Sequence, residues 1–141
     1  MYGAIAASNS RVFVVEETGG VIMEIAFNSA KRAIMVRIVK SGFGRGILIG
    51  GLSATSRGRN MTQLYWIASQ GTKSTLFSGG ASDATVSVLL DLSSLSPPSL
   101  APTSLAVSEM SRVAVWLDTG LNCVPSGPRH SCICPFCASA G

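Results

Sequence analysis

The chain has 141 residues, 47% of them apolar and only 13% charged, with a formal net charge of +4. That length holds one domain with a tail, and the balance of apolar to charged residues is the opposite of a disordered chain. A spanning helix needs ~20 nearly uncharged apolar residues, and the best run, Gly46 to Ser56, is too short between Arg45 and Arg57.

The opening MYGAIAASNS has no basic stretch ahead of its few apolar residues, so it does not read as a signal peptide. A cytoplasmic location is the expectation. Apolar runs then recur with turn signals between them. RVFVVEE (11–17) ends at Thr-Gly-Gly, and VIMEIAFN (21–28) alternates, with Val21, Met23, Ile25 and Phe27 on one side. AIMVRIVK (33–40) sets Ile34, Val36 and Ile38 on one face and Arg37 on the other, which is expected to point away from the core. After SGFGRG come ILIGGL (47–52), QLYWIAS (63–69), STLFS (74–78) and ATVSVLLDL (84–92).

Short β-branched runs every 8–12 residues or so mark an all-β fold. Five to seven strands are predicted, in a small antiparallel sandwich or barrel. The links are too short for the crossover helices that parallel pairing needs.

Two stretches also fit a helix. In residues 21–39, Met23, Phe27, Ala30, Ile34 and Ile38 fall at helical spacing, but β-branched residues and the flanking glycines favour a hairpin. In residues 103–119, Ala106, Met110, Val113 and Leu117 form a helical stripe, and Gly120 suits a helix end. A strand over 112–118 competes, and the spacing leaves both open. The Pro/Ser connection 93–104, with Pro97, Pro98 and Pro102, admits neither a central strand nor a continuous helix. The chain is therefore read as a β-rich core over 1–120 and a Cys/Pro/Gly-rich tail over 121–141.

Charge is unevenly spread. Between Glu24 and Asp83 there are eight cations and no acid, while outside that span three cations face seven acids. Lys31, Arg32, Arg45, Arg57 and Arg59 fall in predicted turns or loops, Arg37 on an outer strand face, and Lys40 at the end of that strand. Arginine suits bidentate phosphate contacts, and Phe43, Tyr65 and Trp66 offer stacking faces close by in sequence. RNA or DNA is the partner this pattern suggests.

The tail holds Cys123, His130, Cys132, Cys134 and Cys137, and four of these five would complete a tetrahedral zinc site. Only the Cys134/Cys137 pair has zinc-knuckle spacing, and a disulfide or four reduced thiols also fit. Cys-Pro-Phe-Cys resembles the Cys-Pro-Tyr-Cys of glutaredoxins over four residues. That motif opens a helix, and only four residues follow Cys137.

Little here suits catalysis. The glycine-rich 42–51 and Gly-Thr-Lys-Ser at 71–74 miss the phosphate-loop patterns. The one histidine lies in the tail, and adjacent Glu16 and Glu17 point to opposite faces of a strand. The expectation is a small non-enzymatic structural or binding protein that self-assembles as a homo-oligomer and contacts nucleic acid through residues 31–59. The alternative is a zinc-stabilised protein-interaction module built on the tail.

Overall fold

The computed structural model describes residues 2–8, 10–18, 20–28, 30, 32–44, 46–59, 61–95, 101–118 and 131–135, with 2, 33, 34 and 131–135 described in their backbone alone. Eleven strands are present in that set: β1 (Tyr2–Ser8), β2 (Arg11–Glu16), β3 (Val21–Phe27), β4 (Ala33–Lys40), β5 (Leu48–Ser56), β6 (Thr62–Gln70), β7 (Lys73–Gly80), β8 (Ser87–Asp91), β9 (Pro102–Ser108), β10 (Val113–Asp118) and β11 (Ser131–Pro135). They form three sheets, ordered β1-β2-β3-β4, β5-β6-β7-β8 and β11-β10-β9. All pairings are antiparallel. The all-β antiparallel class expected from the alternation is what the chain adopts. Its sheets stack as sandwich layers and do not close into a barrel.

The middle layer explains the stack. β6 reads Leu64-Tyr65-Trp66-Ile67-Ala68, buried at every position. A strand that is apolar at successive positions must be covered on both faces. Leu64, Trp66 and Ala68 join Phe13, Val15 and Ile22 of the first sheet in one core. Ile67 and Leu76 look the other way, into a second core with Ala114 and Trp116 of the third sheet. Trp66 stacks on Phe77 at 5.8 Å between ring centroids and meets Phe43 edge-on.

β5 lets the third sheet come close. An irregularity between Ile49 and Gly51 leaves Gly50 without a partner on β6. Ile49 and Leu52 thereby both reach the first core, and the two glycines lie under β9. A Cβ on Gly50 would collide with the Pro102 carbonyl, and one on Gly51 would sit 2.8 Å from Leu105 Cβ and 3.0 Å from its backbone nitrogen. Gly51→Val is expected to lower unfolding free energy by about 1–3 kcal/mol, because the obstacle is backbone and cannot rotate aside. Urea titration of both proteins measures it.

Residues 103–119 form the β9–β10 hairpin and not the helix that their apolar spacing also allowed. Leu105, Val107, Ala114 and Trp116 pack on the second core, a period-2 pattern. Met110, a member of the helical stripe, lies in the turn and is 98% exposed. Two left-handed residues make the hairpin fit: Ser104 (φ 51°) at a bulge and Arg112 (φ 53°) closing the turn. Residues 21–39 likewise form the β3–β4 hairpin. In the Pro/Ser connection, a 3-10 turn over Leu92–Ser94 buries Leu92, and Pro102 opens β9, where a missing N–H is tolerated. Within 121–141, the backbone of Ser131–Pro135 pairs with β10. β1 carries small residues, Ala4 and Ala6, against the first core, and no strand was expected there.

Among the described residues no helix is long and apolar enough to cross a membrane.

Candidate functional site

The first sheet faces inward on the side opposite to the one its alternation suggested. Phe13, Val15, Ile22 and Glu24 are buried, whereas Val36 and Ile38 are 58% and 60% exposed. Arg37 therefore lies on the inner side of β4, next to Val39, and not on the outer face. The reason is Glu24. It sits at 4% exposure directly opposite Arg37 in the β3–β4 register, and a buried carboxylate must be paired. Arg11 binds it through Nε and Nη2 at 2.6 and 2.9 Å, and Arg37 Nε adds a third bond at 2.6 Å. Arg11 also lies over the Phe13 ring. The hydrogen bonds from Arg11, helped by Arg37, hold the Glu24 carboxyl below the usual range, although burial pushes it upward.

The other predicted basic residues separate. Lys40 is buried, and its Nζ donates to the carbonyls of Asp83 and Thr85 at 2.6 and 2.9 Å. Burial lowers its pKa, and Asp83 partly offsets that. Arg57 is chelated by Glu109 through Nε at 2.9 and 3.0 Å. Thr55 donates to the same carboxylate at 2.9 Å, and Tyr65 donates its hydroxyl to it as well. Burial and the Glu109 bond push the Tyr65 phenol up to about 12. For Glu109, burial pushes up, but the donors Tyr65, Thr55 and Arg57 outweigh it and keep the carboxyl below its usual value. This cluster ties β5 and β6 to the β9–β10 turn.

Arg32 and Arg59 are exposed, while Lys31 and Arg45 lie outside the described residues. The stacking trio also divides: Trp66 is wholly buried, Tyr65 is 5% exposed and Phe43 packs on the first core. Cys123, His130 and Cys137 of the proposed zinc set lie outside the described residues too. The backbones of Cys132 and Cys134 are in register with Trp116 and Ala114 on β10.

The outer face of the first sheet is apolar along two rows, in which Ile5, Val36 and Ile38 are exposed and Val14 is only 7% exposed. The rows, in register, are Ile5–Val14–Met23–Ile38 and Ala7–Val12–Ile25–Val36. Neither row contains a polar side chain, and Phe27 extends the face at one end, 45% exposed. The alternation of 21–28 and 33–40 marked these residues as a set. It could not say which side a second sheet would cover.

Comparison with protein families, with curated proteins and with solved structures finds no match to this chain.

Proposed function

We propose that this protein is a non-enzymatic structural protein that self-associates through the outer face of β1–β4. One observation carries the reading: eight apolar residues in two unbroken rows, on a sheet whose other face is already packed. With strands ~4.8 Å apart and ~3.3 Å per residue, the four strands span about 20 by 20 Å, roughly 400 Å² in projection. That is as large as the biggest apolar patch on a typical monomer, often a functional surface. Two such faces in contact, with their flanks, bury on the order of 1,000 Å², where specific interfaces begin. The two rows carry no charge, and Glu16, in register with Val21 on the same face, marks their border at one end. A second copy supplies a flat apolar sheet of the same size, and sheets pack face to face readily.

A polyanion contact, if added to this reading, falls to Arg32 and Arg59 together with Lys31 and Arg45. Arg37, Lys40 and Arg57 already hold intramolecular partners.

The test is sedimentation over a range of concentration, with the double variant Val36→Asp, Ile38→Asp. Both positions are solvent-facing, so the variant is expected to keep its far-ultraviolet circular dichroism and to sediment as a monomer, while the parent forms a concentration-dependent oligomer. A parent that stays monomeric at ~100 μM, or an oligomer that both substitutions leave intact, overturns the proposal. So does a monomeric parent that binds neutral lipid vesicles through the same two residues.

A further inference from the structure

A cleft of about 410 Å³ opens where the three sheets meet at one end. Ligand sites typically run from ~300 to 1,000 Å³, with apolar walls and a few convergent polar groups. The walls here are aliphatic: Ala4 and Val15 from the first sheet, Ile47 and Ile49 at the start of the second, and Pro102 from the third. Gly20, Gly50 and Gly71 contribute backbone. Ser69 and Thr103 also line it, and among the described residues Glu17 is the one ionisable side chain that does.

Glu17 differs from the other acids. Glu16, Glu24, Asp83, Asp91, Glu109 and Asp118 each accept a hydrogen bond from within the protein. Among the described residues Glu17 has no such donor and no ion pair. Its position over β1 depends on Gly3, where a Cβ would come within 2.7 Å of Oε1. A mainly aliphatic cleft whose rim carboxylate has no partner among the described residues is complementary to one kind of small molecule: an apolar body ending in a cation.

We propose that this cleft is a binding site for a small aliphatic ammonium compound, with its chain against Val15, Ile47 and Ile49 and its nitrogen donating to Glu17. The site is independent of the self-association face, because Ile5, Val36 and Ile38 do not line it. Charge-assisted hydrogen bonds are stronger than neutral ones, and with Glu17 exposed to water the bond corresponds to about two- to fivefold in affinity.

The experiment is an amide-resolved nuclear magnetic resonance titration of the full chain with n-hexylammonium, with 1-hexanol as the uncharged probe and Glu17→Gln as the variant. Saturable shifts are expected at the amides of Gly20, Gly50 and Gly71. Binding should weaken about two- to fivefold both for 1-hexanol and in the variant. Glu17 is exposed at a turn, so the variant should retain the parent melting temperature, which is checked alongside. The site is overturned by the absence of saturable shifts, by equal binding of hexanol, or by a variant that binds hexylammonium as the parent does.

Discussion

Glu24→Ala should destabilise the fold by about 3 kcal/mol at neutral pH, the lower end of what breaking a buried ion pair costs. The lower end applies because the two arginines are unequal. Arg11 has a side chain only 17% exposed and is left facing Phe13 without a counter-charge. The Arg37 side chain is 44% exposed and can recover water. It follows that Arg37→Ala should cost no more than about 1 kcal/mol, as for a surface pair. The difference between the two variants is the measurement, by urea unfolding. Equal and small losses would mean that Glu24 does not organise the inner face of the first sheet.

The pH dependence has a definite sign. Glu24 is depressed in the folded protein, first by the Arg11 hydrogen bonds. Its contribution is therefore complete above the unfolded carboxyl value of about 4.3 and is lost as pH falls through the lower folded value. Asp83 and Glu109 are depressed too, but parent and variant share them, so they cancel in the difference. The stability gap between parent and Glu24→Ala should stay constant from pH 7 to about 5 and narrow below about pH 4. A gap that widens on acidification would contradict the assignment.

Trp66→Ala should cost about 3–5 kcal/mol, as for a large aromatic removed from a packed core. Trp66 is fully buried between the first two sheets, and its ring holds both Phe77 and Phe43. Trp66→Phe should cost less than about 1.5 kcal/mol. The indole Nε1 is buried with no hydrogen-bond partner among the described residues, and an unpaired donor of that kind carries a penalty of ~1–3 kcal/mol. Phenylalanine removes the donor together with part of the ring, so the two effects oppose. A Phe variant as unstable as the Ala variant would show that the indole nitrogen is satisfied in solution.

Several elements were legible from residues alone. β2, β3 and β4 match 11–17, 21–28 and 33–40 closely, because period-2 alternation between glycine or polar turns has few other solutions. β1 was missed: Tyr-Gly-Ala-Ile-Ala-Ala-Ser is rich in small residues, and only the close approach of β5 explains why small residues suit it. In 103–119, helical and strand periods coexist over a short run. The choice fell to the flat glycine surface of β5, which accepts a strand carrying Leu105.

The basic span was legible as a count but not as a surface. Arg37 finds Glu24 thirteen residues away, Arg57 finds Glu109 fifty-two away, and Lys40 reaches carbonyls more than forty away. A charge tally along the chain cannot see such partners, because each pair is made by strands that meet only in the fold. Glu24 and Glu109 carried no signal beyond being acids, and neither did Glu17.

The sequence by itself determined that this chain is antiparallel β, whereas the covering of Leu64 to Ala68 on both sides of the middle strand came only with the fold. Only the tertiary structure decided which side of the first sheet became core. Both of its faces are apolar enough to bury, so alternation is silent on the choice. One second sheet can cover only one of them. The covered face is the one where Glu24 meets its two arginines, and the other keeps its two apolar rows outward.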